Sequence, residues 1–157
     1  MSEQPTLVII PSYEIPSYEA DFCAWAAAQA AALHRLRPAG LDWSNLVEEL
    51  DDMSRSEQRA LESHLAVLLA HLLKWKYRSG KRTLSWETSI ENSRDEIDEL
   101  LKRSPSLRAK LAESLLVAYR RARRVAGTEM KLSKPEREGA ADKTAIQLVK
   151  VQSCQLP

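Results

Sequence analysis

The strongest pattern in the chain is a stripe stepping by three or four residues: Trp43, Val47, Leu50, Ser54, Glu57, Leu61, Leu65, Leu68, Leu72 and Trp75. Such spacing keeps all of these positions on one face of a helix. A single helix of that extent would be about 50 Å long at 1.5 Å per residue. Within it, Ser54-Arg-Ser-Glu57 has the form of a capping box, where Ser and Glu side chains satisfy each other's free backbone amides. The box predicts a new helix start, and a bend or break, near Ser54. From Leu65 to Leu73 almost every position is apolar, so a helix over about 57–77 is expected to be central and buried.

Other segments read as helices on either side. Ser17 to Arg37 carries Tyr18, Phe22, Trp25, Gln29, Ala32, Leu33 and Leu36 on one face, with Ser17 as the expected N-cap and Pro38 and Gly40 as terminators. A basic loop, Arg78 to Arg82, leads to a helix from about Ser85 to Arg103 with Trp86, Ile90, Ile97, Leu100 and Leu101 inward. Ser104-Pro105 marks the start of the last helix, and Gly127 is its expected C-terminal cap. Prolines at 5, 11 and 16 predict an irregular arm over 1–17. Thr6–Ile10 and Ala145–Val151 could form short strand-like segments, and 133–157 is a tail of undetermined structure. The expected fold is all-α: one helical domain over 18–132, a compact bundle of four to five helices.

Composition agrees. Hydrophobic residues make up 44% and charged residues 29% of 157, with only four Gly. Helix formers dominate and β-branched residues are scarce. The formal net charge of +1 gives no global field toward nucleic acid or membrane. Two cysteines, Cys23 and Cys154, make no disulfide framework, and a reducing, cytoplasmic, bacterial setting is the simpler expectation. No apolar run is long enough to span a bilayer. Charge falls in blocks. Residues 41–62 hold seven acids against two bases, while 102–134 hold ten bases against two acids. Neighbouring helices of opposite charge are therefore expected to attract.

Some residues could carry chemistry, each with a structural counterpart. Glu48-Glu49-Leu50-Asp51-Asp52 could hold a cation or do acid–base work, but bundle metal centres use Glu-x-x-His on facing helices and none exists here. No metal and no cofactor is expected. Glu57 falls on the inward stripe, where a carboxylate needs a helix-start amide or an arginine such as Arg94. His64 and His71 are seven residues apart, about 10 Å along a helix, too far to share an ion. His71-Leu-Leu-Lys74-Trp75-Lys76-Tyr77-Arg78 could clamp an anion or stack a base, or could simply end a helix with cations. Arg120, Arg121, Arg123 and Arg124 invite the same two readings.

Two functions follow. The first is a non-catalytic interaction or regulatory protein with a protein partner or a second copy of itself. The rival is a small enzyme with Glu49, Glu57, His71 and Lys74 as catalytic candidates and Trp75, Trp86 and Arg94 as binding candidates. Nucleic-acid binding through the basic helix ends is a third, less favoured option.

Several blocks together also resemble a known family. They are Tyr18-Glu-Ala-Asp21-Phe22-Cys-Ala-Trp25, Leu46-Val-Glu48-Glu49-Leu-Asp-Asp52-Met53-Ser-Arg-Ser56-Glu57, His71-Leu-Leu-Lys74-Trp75, Ser85-Trp86 and Ser104-Pro-Ser106-Leu107. Their order and spacing are similar to the bacterial family catalogued as domain of unknown function number 29. The resemblance covers about Tyr18 to Leu132. It implies an all-helical fold and no assigned activity. That family often has Gly where this chain has Ser54, and its members often end in a Pro-, Cys- and aromatic-containing segment that the tail from Lys134 does not reproduce.

Overall fold

The computed structural model describes residues 16–37 and 39–131. Four α-helices lie among them: α1 (Phe22–Leu36), α2 (Trp43–Tyr77), α3 (Leu84–Arg103) and α4 (Leu111–Glu129). Short 3-10 turns, Ser79–Lys81 and Pro105–Lys110, precede α3 and α4. The irregular arm, the strand-like segments and the tail fall outside the described residues.

The expected break near Ser54 is absent. α2 is one uninterrupted helix of 35 residues, about 52 Å long. Both halves of the supposed capping box are otherwise engaged. The Ser54 hydroxyl lies 3.0 Å from Cys23 Sγ on α1, and the Glu57 carboxylate accepts from Arg103 on α3. A capping box acts only where a helix begins, and here the apolar face runs through it without interruption.

α2 is the hub, and each other helix packs on it. Contacts fix the directions. Cys23 meets Ser54 and His34 meets Trp43, so α1 runs antiparallel to the first half of α2. Trp86 meets Lys74 and Arg103 meets Glu57, so α3 runs antiparallel to the second half. Lys110 reaches Gln58 and Glu129 reaches Lys74, so α4 runs parallel to that same half. The core therefore sits at the C-terminal half of α2. It is built from Leu61, Leu65, Leu69 and Leu73 against Leu100, Leu101, Leu107 and the small face Ala118, Ala122 and Ala126.

Helix starts are set by local chemistry. α1 begins at Asp21, not at Ser17. Ser17 instead closes a turn by accepting from the amides of Ala20 and Asp21. The Asp21 carboxylate accepts from Ala24 N at 2.8 Å, and it also accepts from Ser106 N and from Ser106 Oγ at 2.9 Å. In return the buried Ser104 hydroxyl accepts from Cys23 N at 3.3 Å. The start of α1 and the start of the Pro105–Lys110 turn thus cap each other. Ser104-Pro105 does open the next element, but its first residues form the 3-10 turn. Gly127 is not a cap: it is buried within α4, which continues to Glu129.

The face of α1 that meets α2 is the one its small residues form. Its buried residues are Cys23, Ala26 and Ala30. Short side chains let the two helices approach closely, and this displaces the large residues to one flank. Tyr18 and Leu36 are exposed, while Phe22 and Trp25 are only half-buried.

Candidate functional site

The four catalytic candidates all lie on α2. Because that helix is continuous, Glu49 and Lys74 are about 38 Å apart along its axis, and Glu57 and Lys74 about 25 Å. Each has its own surroundings. Glu49 is exposed. Glu57, with a side chain only 15% exposed, accepts two-pronged hydrogen bonds from Arg103 at 2.9–3.1 Å. The arginine expected of it was Arg94, which is exposed on α3 nine residues earlier, about 14 Å further along. His71 Nδ1 lies 2.9 Å from the Val67 carbonyl of its own helix.

Lys74 is the buried cation of the molecule's far end. Its Nζ donates to Glu129 Oε2 at 2.7 Å and stands 5.1 Å from the Trp86 ring. Trp75 is covered instead by Arg82, whose guanidinium is 4.8 Å from the ring and whose Nε donates to the Trp75 carbonyl. Arg78 donates to the Met130 carbonyl. Lys74 and Arg78 thereby hold the end of α4 against α2. Lys74 and Trp86 are brought together, while Glu49, Glu57 and Arg94 are each elsewhere. Of the α4 arginines, Arg121 approaches Glu62 at 4.0 Å and Arg120 and Arg124 are exposed. Among the described residues no cluster of three or more His, Cys, Asp or Glu has the arrangement of a metal centre.

The Lys74–Glu129 pair is asymmetric, with side chains 6% and 52% exposed. Glu129→Ala should therefore destabilise by about 1–3 kcal/mol, because it strands a buried ammonium. Lys74→Met should have the smaller effect, since an apolar chain of similar length suits the site. Urea titrations of both variants compare the two losses, and the reverse order would show that Lys74 is solvated.

The apolar stripe of α1 is a further surface. Phe22, Trp25, Gln29, Ala32 and Leu36 follow a helical stripe on α1, roughly 100° around from Cys23, Ala26 and Ala30. On α2, Leu46 and Met53 lie about 80–100° around, in the same sense, from Ser54, which faces Cys23 of α1. In an antiparallel pair, equal offsets of the same sense fall on the same side. The two stripes therefore flank one groove, about 21 Å long between the levels of Phe22 and Leu36. Tyr18, Phe22 and Trp25 form an aromatic cluster at its root, with ring centroids 5.0–6.2 Å apart. Leu36, Leu41, Leu46 and Met53 are 40–53% exposed. α3 would cover this groove if it continued, but it stops at Arg103 beside Glu57. The Cys23–Ala26–Ala30 stripe, part of an Ala-rich run whose small side chains invite close packing, is the surface of α1 that leaves this flank uncovered.

No helix among the described residues is long and apolar enough to cross a membrane. No curated protein and no solved structure matches the chain. The family model described as "Domain of unknown function DUF29" matches residues 17–148, which include all four helices, the α1–α2 groove and the Ser104-Pro105 junction. The chain belongs to the DUF29 family.

Proposed function

We propose that this chain is a non-catalytic interaction module that docks a partner in the groove between α1 and the first half of α2. One observation carries this reading. The apolar stripe of α1 that looks most like core, Tyr18–Phe22–Trp25–Leu36, is left at the surface beside Leu46 and Met53. Apolar side chains gathered along one groove, unlike single exposed ones, mark a surface that is covered in use. The catalytic candidates offer the rival less. Lys74 and Glu57 are occupied in holding α4 and α3 in place, and Glu49 is a groove-side carboxylate far from both. A reducing bacterial cytoplasm suits the buried free thiol of Cys23.

A photo-crosslinking residue placed at Met53 or Leu46 in the producing cell tests the proposal. It should yield one discrete protein adduct, identified by mass spectrometry and reproduced with the purified pair. The same residue at Leu116, 64% exposed on α4, should yield none. Equal adducts from all three positions, or none from any, would reject the groove as the working surface.

A further inference from the structure

We infer that the groove's occupant is an amphipathic helix of another protein, with an apolar stripe flanked by Lys and Arg. This rests on the docking reading above and adds the partner's chemistry. The groove is straight, about four helical turns long and floored by apolar side chains, dimensions that fit one helix laid along it. Charge then selects the occupant. Along its α2 edge stand the exposed carboxylates Asp42 and Glu49, with Asp52 behind them. Asp52 is joined by Arg55 at 2.9 Å, while the Asp42 carboxylate accepts from the neutral Asn45. The α1 edge has no charged residue from Phe22 to Leu33. The first basic residues, His34 and Arg35, occur at the tip, where the Arg37 guanidinium also lies over the Trp43 ring at 4.4 Å. Away from the basic tip, the rim is therefore acidic along α2 and uncharged along α1 from Phe22 to Leu33, which attracts cations and repels acidic helices.

The same charges disfavour the other occupants. A second copy would bring an identical acidic rim to the groove. The chain's own first fifteen residues contain no Lys or Arg and two Glu, so they offer nothing to Asp42 or Glu49. The basic apolar segment Lys143–Val151 starts from the wrong end. Lys131 follows Met130, whose carbonyl is held by Arg78, and the groove's nearest residue on α2, Met53, is about 38 Å back along the helix. The twelve steps from Lys131 to Lys143 span at most about 40–43 Å, so this segment would have to run fully extended and in a straight line merely to touch the near end of the groove.

The test uses the full-length chain and two labelled peptides, measured by fluorescence anisotropy. One is an amphipathic helix of Leu, Ala and Lys with Leu at i, i+3, i+4 and i+7; the other is identical with Glu for Lys. The Lys peptide should bind at least about tenfold more tightly than the Glu peptide, and the advantage should shrink in high salt. Glu49→Lys should weaken the Lys peptide by about 3- to 10-fold. Leu46→Ser with Met53→Ser should weaken it by at least about tenfold, and Leu116→Ser should leave it unchanged. If both peptides bind alike and the Leu46/Met53 variant loses both, the groove docks helices but the basic partner is wrong. If the Leu46/Met53 variant binds the peptides as the parent does, or neither peptide binds the parent, the docking reading fails with it. A dimer in light scattering that the Leu46/Met53 variant dissolves would assign the groove to a second copy and overturn the inference.

Discussion

Leu61→Ala should lower the unfolding free energy by about 2–5 kcal/mol, the range for truncating a buried leucine that leaves a cavity. Leu61 is 0% exposed, and it sits where α2 meets the core contributed by both α3 and α4. Its surroundings on those helices are fixed by ion pairs at the two ends of the shared half of α2, Glu57–Arg103 and Lys74–Glu129. The site therefore has little freedom to collapse around the void. Leu46→Ala, on the same helix but 42% exposed, should shift stability by no more than about 0.5 kcal/mol. Chemical denaturation with matched slopes measures both. Equal losses would place the core in the wrong half of α2.

Asp21→Ala is the second change with a large expected effect, a loss of about 2–4 kcal/mol. One carboxylate serves two chain segments, accepting from Ala24 N at the start of α1 and from Ser106 N and Oγ at the start of the next element. It is 9% exposed, so water cannot fully replace it. A lost N-cap is typically worth about 1 kcal/mol, and each charge-assisted hydrogen bond about 1.5–3 kcal/mol. Asp21→Asn keeps one amide oxygen as an acceptor but turns a donor toward one of the three partners. Its loss should be smaller than that of Asp21→Ala. Thermal unfolding of the two variants checks the order, and an Asn variant as damaging as Ala would mean that both oxygens are indispensable.

Local signals were legible where local chemistry decides. Pro38 and Gly40 after α1, the basic turn after Tyr77, and Ser104-Pro105 all punctuate the chain as their residue types require. The buried Leu61–Leu73 segment followed from its own density of apolar residues. Long-range pairing was not legible. Asp21 and Ser106 are separated by 85 residues, and Cys23 and Ser104 by 81, and no spacing rule connects them. Glu57 needed a cation, and sequence could supply that need but not the antiparallel register of α3, which presents Arg103 in place of Arg94. On α1 the Ala run 26–28 and 30–32 and Cys23 pointed to close helix packing, but spacing alone did not say where the large apolar stripe beside them would lie. Here close approach of α1 to α2 favoured Cys23, Ala26 and Ala30, and the aromatic flank became the candidate docking surface.

The two halves of α2 share one axis but differ in what surrounds them. From Trp43 to Ala60 no residue of α2 is fully buried, whereas seven are buried from Leu61 to Lys74. Backbone amides in the first half should therefore exchange with solvent through a partial opening, in which α1 lifts away and the helix unwinds as far as Ser54. Those from Leu65 to Leu73 should exchange only when the whole molecule unfolds. Native-state hydrogen exchange under mild denaturant would separate the two classes, and a uniform protection along α2 would contradict it. The boundary that the Ser54-Arg-Ser-Glu57 pattern suggested would then exist in the energetics of the helix and not in its direction. A partner settling into the groove would suppress the partial opening, so that binding registers as slowed exchange in the first half of α2.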